Sequence, residues 1–184
     1  MVVCVVLSLA IYAVMGRGGV IYHQAYVSAN DAYKLSQILN QPELLKTSLM
    51  KDLKLNPNDE KKQSLLASVC MHVKDYTCAK QHYVWLVKNH PKDVYFIHYL
   101  KSQMKLNKNQ LSQQDRKLMG MYLSRHFENM EVHRIAAQDA MAHQEYSKAA
   151  AHWRYVLDHL DQAAPDRMLL EKSHALAVKN MRKS

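Results

Sequence analysis

The cysteines and histidines of this chain are its side chains with the most specific chemistry, and the cysteine spacing is the more informative. Cys70 and Cys78 stand eight residues apart, one on each of two helices that the surrounding sequence predicts. If those helices are antiparallel, the two Cα atoms come within the roughly 4.4–6.8 Å that a disulfide requires. Two buried thiols acting as small apolar side chains are an equal alternative. Cys4 lies in an apolar N-terminal run, where we expect it to be inert.

The remaining reactive side chains form no recognisable ligand or catalytic set. Eleven histidines are present, but no two stand four residues apart as in His-Glu-x-x-His, and Cys-x-x-Cys is absent. Zinc and covalently attached haem therefore have no visible ligands. No Ser/His/Asp set, carboxylate pair or phosphate loop stands out. We expect no enzyme, no cofactor and no metal site; an enzyme subunit or metal handler that uses the histidines is the alternative.

The charge and the composition of the chain indicate which partners and which fold class to expect. The chain has 25 Lys and Arg against 16 Asp and Glu, a formal net charge of +9. Such a surface attracts anions, and membrane lipid is an expected partner; a generally basic, solvated surface without a specific partner is the alternative, and we favour it for the charge taken alone. The basic residues are scattered without an arginine-rich run, so nucleic acid is not expected. Only four Gly and four Pro in 184 residues favour helices over strands.

An uncharged run, MVVCVVLSLAIYAVMG, opens the chain and ends at Arg17. Sixteen helical residues span about 24 Å, short of the roughly 30 Å hydrocarbon core, but continuation to residue 22 lengthens the span. We expect residues 1–22 to be a membrane anchor. A cleaved signal peptide, which usually begins with basic residues, and a buried core helix are the alternatives. Residues 23–41 then form a polar connector to a helical domain at 42–184.

Two stretches of the chain share one pattern: DYTCAKQHYVWLV, which begins at Asp75, and EYSKAAAHWRYVL, which begins at Glu145. We call the separation of Asp75 from Glu145 along the chain the repeat offset. Half of it, about 35 residues, lies in the range of stacked helical repeats. The separation between Pro57 and Pro91 is about half of the repeat offset, and both prolines break the helical pattern at corresponding places. The sequence predicts helices at about 43–55, 60–73, 76–89, 93–107, 111–126, 130–143, 146–160 and 165–181.

This pattern resembles the tetratricopeptide repeat, in which two antiparallel helices pack through small residues beside a large aromatic ring. The resemblance implies an all-α, tetratricopeptide-like solenoid with helix pairs at about 60–90, 93–127 and 130–160 and a C-terminal capping helix at 165–181. A generic helical bundle is the alternative. The predicted repeat-packing residues are Ala67, Ala79, Tyr83, Ala137, Ala149 and Trp153.

In such a solenoid the first helix of each pair lines a concave groove. Methionine and aromatic side chains beside polar ones suit an amphipathic helix or an extended peptide, although Met71 and Met141 fit ordinary core equally well. The middle pair departs from the pattern, since Gln114 stands in the alanine slot and Leu118 in the aromatic slot. The predicted groove residues are Lys61, Ser64, Ser68, Met71, His72, Phe96, Tyr99, Gln103, Arg134, Gln138 and Met141.

From Leu44 onward the chain also resembles the CcmI family, the apocytochrome c-binding proteins of bacterial cytochrome c maturation, found too as the C-terminal part of fused CcmH. The resemblance rests on LLKTSLMKDLKLNPND from Leu44, DYTCAKQHYVWLVKNHPKD from Asp75 and AAQDAMAHQEYSKAAAHWRYVLDHL from Ala136. It implies a protein held in the bacterial inner membrane with its soluble domain in the periplasm. A Cys70–Cys78 disulfide would suit that oxidising compartment.

The same resemblance implies a function in cytochrome assembly. Members of the family bind the C-terminal helix of unfolded apocytochrome c and present the client to the thiol reductase and the haem lyase. We therefore expect apocytochrome c and those maturation components as partners. A general inner-membrane scaffold, or a chaperone for another envelope protein, is the alternative.

Overall fold

Helices account for all the regular secondary structure in the computed structural model, which describes residues 41–183. No strand occurs in this range, so the all-α prediction is confirmed for it. Each helix predicted from the sequence is present, with ends that differ by a few residues at most. The helices are α1 (Pro42–Leu55), α2 (Glu60–His72), α3 (Tyr76–Asn89), α4 (Asp93–Leu106), α5 (Gln113–Leu123), α6 (Met130–Ala142), α7 (Tyr146–His159) and α8 (Arg167–Met181).

Several sequence predictions fall outside the described residues. They are the membrane anchor at 1–22, Cys4, and all but the last residue of the connector at 23–41. Within residues 41–183, no helix combines the length and the apolar composition that a membrane crossing requires.

Short polar side chains set where four of the helices begin. Asp59, Asp75, Ser112 and Asn129 each accept a hydrogen bond from the backbone N–H three residues further on, at 3.0–3.2 Å. Each bond satisfies an N–H that the first turn of a helix leaves unpaired, and such a cap stabilises the folded chain by about 1 kcal/mol. The local sequence therefore determines these helix starts.

The first helix, α1, covers one end of the array. Its buried face consists of Leu45, Leu49 and Leu53, which belong to the same core cluster as the residues of α2 and α3. Pro57 lies in the turn between α1 and α2, and Pro91 lies between α3 and α4. Both breaks that the sequence predicted from these prolines are confirmed.

The outer helix pairs, α2–α3 and α6–α7, reverse direction through the same turn. Lys74 and Gln144, which lie between the two helices of each pair, both have a φ of 61°. The residue after each of them, Asp75 or Glu145, donates its N–H to the carbonyl five residues earlier at 2.8 Å. This bond closes the end of the preceding helix. The turns therefore recur at the repeat offset that the sequence showed.

The two outer pairs pack through the residues that the repeat pattern singles out. The alanines in these slots are fully buried, and their short side chains let the two backbones approach closely. A large ring fills the adjoining space in each pair, and the two rings are only 1% and 4% exposed. All six predicted repeat-packing residues lie in the core, with Ala67, Ala79 and Tyr83 in one cluster and Ala137, Ala149 and Trp153 in another.

The middle pair, α4–α5, packs differently from the outer two. The repeat alignment places Gln114 and Leu118 in the inward slots of α5, but both side chains are exposed. Asp115 and Met119 occupy the inward positions instead, at 3% and 7% exposure. The connection between α4 and α5 spans residues 107–112, whereas the shorter outer connections span only 73–75 and 143–145. Because the longer connection changes the phase of α5, its buried face is offset by one residue from the repeat.

Candidate functional site

The predicted groove residues of α2 lie on an accessible face of the helix. Lys61 and His72 are exposed near its two ends, and Ser64, Ser68 and Met71 are half-buried between them. The hydroxyl of Ser68 donates a hydrogen bond to the carbonyl of Ser64 at 3.0 Å, one turn earlier. Met71 packs in part against the core shared by α2 and α3, so it lies at the boundary between core and surface.

The α4 residues predicted for the groove contact the core beneath that helix. Phe96 is half-buried and stacks on Tyr122, with ring centroids 4.6 Å apart. The hydroxyl of Tyr99 donates to Oδ1 of Asp115 at 2.5 Å; burial and this bond raise the pKa of Tyr99 to about 12. Gln103 is 4% exposed, and its amide donates to the Tyr99 hydroxyl at 2.9 Å. Gln103 is therefore a core residue rather than an accessible groove residue.

The α6 residues predicted for the groove divide into accessible and engaged side chains. Gln138 is exposed, and Met141 is half-buried against the core of the third pair. The guanidinium of Arg134 forms an ion pair with Asp166, next to the start of α8, and holds the pKa of that carboxyl below its usual range. It also lies 3.8 Å from a carboxylate oxygen of Glu131. Arg134 thus links α6 to α8, and its charge is compensated within the chain.

Polar contacts join each first helix to the next along the array. The hydroxyl of Tyr95 on α4 donates to Glu60 on α2 at 2.7 Å. Lys101 on α4 pairs with Glu131 on α6 at 2.6 Å, and the ion pair of Arg134 continues the series to α8. Each partly exposed pair of this kind stabilises the fold by about 1 kcal/mol or less. Their combined effect is to hold the helices at a defined spacing.

These contacts separate the predicted groove residues into two groups. Tyr99 joins α4 to α5, Arg134 joins α6 to α8, and Gln103 is buried; the others present side chains to solvent on α2, α4 and α6. The accessible group is called the candidate binding face. It consists of Lys61, Ser64, Ser68, Met71, His72, Phe96, Gln138 and Met141.

A disulfide between Cys70 and Cys78 links α2 to α3, with the two Cα atoms 5.8 Å apart. Residues eight apart along one straight helix would be separated by about 12 Å, so the short distance records the reversal of the chain. Both cysteines are buried, at 0% and 8% exposure. The third pair has Ala140 and Lys148 at the equivalent positions, so the bond has no counterpart there.

A histidine pair that the sequence analysis did not single out joins α6 to α7. Nδ1 of His133 lies 2.9 Å from Nδ1 of His152, and Nε2 of His133 lies 2.8 Å from the carbonyl oxygen of Phe127. A carbonyl only accepts, so neutral His133 donates through Nε2 and accepts at Nδ1 from the Nδ1–H of His152. Burial lowers the pKa of both rings, which favours their neutral forms.

The first pair contains the same arrangement with glutamine in place of one histidine. Nδ1 of His82 lies 2.5 Å from Oε1 of Gln63, whose Nε2 donates to the carbonyl of Pro57 at 2.8 Å. The repeat offset separates His82 from His152, and it also separates Gln63 from His133. Extending the comparison at that offset from the apolar slots to the polar positions would have singled out these four residues, although not that they are in contact.

We predict that the free energy of unfolding falls as the pH drops below about 6.5, the ordinary histidine pKa. Burial lowers the pKa of His82, His133 and His152, and it lowers that of His98 to about 4. Below pH 6.5 the unfolded chain therefore binds more protons than the folded chain, and stability is lost as the pH falls toward the folded pKa values. Each excess proton gives a slope of about 1.4 kcal/mol per pH unit. Urea unfolding of the full chain across this range measures the slope.

His133→Gln is the matched variant for this prediction. In the first pair a glutamine at the same position makes both hydrogen bonds, so the substitution keeps the contacts and removes one titrating ring. We expect stability at neutral pH to change by less than about 1 kcal/mol, with a shallower slope below pH 6.5. His159 and Lys148, which also act on the pair, are unchanged in the variant. A slope equal to that of the unmodified chain would contradict the role assigned to His133.

A second buried polar cluster, also missed from the sequence, holds α5 against α6. Asp139 is 1% exposed; its Oδ1 accepts from the N–H of Leu111 at 2.7 Å, and its Oδ2 lies 2.9 Å from Nε of Arg116. Arg116 also bonds to Glu145 at 2.5 Å. This bond is the largest of the causes that lower the pKa of the Glu145 carboxyl to about 2. The sequence did contain a signal for this cluster. At the repeat offset Asp139 aligns with the buried Val69, so a carboxylate stands where the repeat has an apolar side chain.

Neither polar cluster has the donors of a metal centre. Among residues 41–183, no group of three or more His, Cys, Asp or Glu side chains is placed to hold a metal ion.

Comparison of the chain with protein-family models and with the sequences of curated proteins finds no match. Over residues 41–183 the structure defines a class, an all-helical fold compatible with a solenoid of helix pairs, and the two family resemblances stay predictions.

Proposed function

We propose that this chain is a tetratricopeptide-like binding protein that captures a segment of another polypeptide on the candidate binding face. The observation that carries the proposal is the structural repeat. The two outer pairs share their alanine slots, their buried ring, their turn and their polar contact between helices, all at the one repeat offset. Arrays of such pairs recognise peptides along their first helices. In this proposal the chain acts by binding rather than by catalysis.

The side chains of the candidate binding face suit a peptide that carries both apolar and polar groups. Met71, Phe96 and Met141 offer partly exposed apolar surface on three successive first helices. Methionine adapts its shape to different partners, which favours recognition of an unfolded segment. Ser64 and Gln138 supply hydrogen-bonding groups among them. The polar contacts between the first helices keep these groups in place before the peptide arrives, which reduces the entropy lost on binding.

We further propose that the client is an unfolded apocytochrome c, bound through its C-terminal helix. The support is the resemblance to the CcmI family together with the Cys70–Cys78 disulfide, a bond that persists in oxidising compartments such as the periplasm. In this proposal the apolar N-terminal segment holds the protein in the bacterial inner membrane. Anchoring raises the concentration of the face near the thiol reductase and the haem lyase, which receive the client.

The test is binding of the full chain, in mild detergent, to a peptide of the C-terminal helix of an apocytochrome c. A scrambled peptide of the same composition is the reference. We expect micromolar or tighter binding of the helix and at least about tenfold weaker binding of the scrambled peptide, a difference of about 1.4 kcal/mol. Equal binding of the two peptides would overturn the proposed client and leave a helix-pair scaffold for another envelope protein.

Variants of two methionines test the face itself. Met141→Ser removes apolar surface from the candidate binding face, whereas Met121→Ser removes it from the exposed side of α5. We expect the first substitution to weaken peptide binding severalfold and the second to leave it unchanged. Urea unfolding of both variants verifies that they stay folded. An equal loss of affinity in both would contradict the assignment of the site to α2, α4 and α6.

A further inference from the structure

The outward face of α8 combines exposed apolar side chains with positive charge. The inward face of this helix, Leu170 and Ala177, packs against the core of the third pair at 5% and 0% exposure. Positions three, four and seven residues apart on the other side of the helix face solvent together. We call this surface the basic face of α8. It consists of Met168, Leu169, Lys172, Leu176, Lys179 and Arg182.

The apolar part of this face is unusually exposed for a folded chain. Met168 and Leu169 are 66% and 65% exposed, and Leu176 is 50% exposed. Single exposed apolar residues are ordinary, but three large ones on the same side of one helix mark a contact surface.

The charged part of the face is almost wholly positive. Residues 167–183 contain five Lys or Arg and one acid, Glu171. That acid is paired with Arg167, whose Nε lies 3.1 Å from a Glu171 oxygen. A shallow depression beside the face is lined by Val178, Lys179 and Arg182 among others, so cationic groups border an apolar floor. This arrangement is complementary to an anionic group that is attached to something apolar.

We propose that the basic face of α8 rests on the anionic lipid surface of a bilayer. Long lysine and arginine side chains can lie along apolar groups while their charges reach the headgroup phosphates, and leucine and methionine then enter the interface between them. A flat layer of mobile headgroups matches cations that are spread along one helix, with no deep pocket among them. The contact is separate from the candidate binding face on α2, α4 and α6, so it leaves that face open to a client.

Methionine oxidation provides the test, because the chain carries matched reporters. Met168 belongs to the basic face of α8, whereas Met50 on α1 and Met121 on α5 are exposed methionines elsewhere in the chain. The full chain is placed in nanodiscs of phosphatidylcholine alone or with phosphatidylglycerol, and oxidation by dilute peroxide is followed by mass spectrometry. We expect Met168 to oxidise at least about threefold more slowly in the anionic discs, with the two reference methionines unchanged.

Salt and charge reversal separate lipid contact from other causes. The protection should disappear near 1 M salt, where the screening length is about 3 Å. The triple variant Lys172→Glu, Lys179→Glu, Arg182→Glu should abolish it, and the matched variant Lys54→Glu, Lys88→Glu, Lys117→Glu should retain it, since all six side chains are exposed. Equal oxidation of Met168 in both kinds of disc, or protection only when another protein is added, would overturn the proposal.

Discussion

Replacing Asp139 with alanine is expected to lower the free energy of unfolding by about 1–3 kcal/mol, because it removes a buried acceptor and one of the two carboxylates that bind Arg116. The substitution would leave the N–H of Leu111 without its acceptor and Nε of Arg116 without its nearest carboxylate. Both groups belong to the segment that attaches α5 to α6. The substitution would therefore destabilise the part of the fold that departs most from the repeat. Urea unfolding of the full chain in mild detergent measures the change in the free energy of unfolding.

Asp158→Ala is the control for this substitution. Asp158 is an exposed carboxylate on α7 that lies 4.0 Å from Arg154, so its removal should change stability by no more than about 0.5 kcal/mol. Asp139→Asn adds a second comparison, because its amide oxygen can still accept from the N–H of Leu111, whereas its NH2 group cannot accept from Nε of Arg116. We expect it to fall between the other two variants. A loss below about 1 kcal/mol for Asp139→Ala would show that α5 is held chiefly by its apolar contacts.

Removing the Cys70–Cys78 disulfide is expected to lower the free energy of unfolding by about 2–3 kcal/mol. Closing a loop of about nine residues in the unfolded chain removes conformational entropy, and the loop-length relation gives this magnitude. The bond lies within the first pair, so its loss should loosen α2 against α3 and leave the third pair unaffected. The double variant Cys70→Ala, Cys78→Ala is compared with the oxidised parent by urea unfolding.

A Cys4→Ser background in both proteins removes the remaining cysteine from the comparison. Adding a reductant should lower the stability of the oxidised parent and leave the double variant unchanged, since the variant has no bond to reduce. Alanine is the natural replacement, because Ala140 of the third pair already stands at the position equivalent to Cys70. Equal unfolding midpoints for the oxidised parent and the double variant would contradict a stabilising role for the bond.

The elements of the fold were predictable because they depend on neighbours along the chain. Proline in the turns and short polar caps at the helix starts act within one turn of helix, so Asp59 and Pro57 identify the same boundary from sequence and from structure. The alanine and aromatic slots were predictable for a related reason. Two helices joined by a short turn can meet only along one face, and the recurrence of the pattern at the repeat offset revealed which face that is.

The middle pair was less predictable, because its packing depends on the length of a connection rather than on a local pattern. The connection at residues 107–112 is longer than the outer turns, so the inward side of α5 carries Asp115 and Met119 instead of Gln114 and Leu118. A one-residue change rotates a helix by about 100°, which is enough to exchange its buried and exposed faces. Aligning the repeat across that connection could not show the rotation.

For the candidate site too, the sequence predicted the helix on which each residue lies but not the partner that its side chain meets. The sequence placed its residues on the first helices, and Lys61, Met71 and Gln138 do reach the surface there. It did not show that Gln103 is buried or that Arg134 is committed to a partner 32 residues away. A polar side chain on a predicted groove looks the same in sequence whether it meets solvent or a carboxylate from another helix.

The sequence by itself therefore determined the helical class, the helix boundaries and the apolar slots of the outer pairs, since these follow from short-range sterics, capping and periodic burial. Only the tertiary structure decided which polar groups pair: Asp139 with Arg116, His133 with His152, and Tyr99 with Asp115. Each of those choices joins residues on different helices, well separated along the chain. They depend on how the helices rotate and approach, because a buried polar group must find whichever partner the packing brings within hydrogen-bond distance.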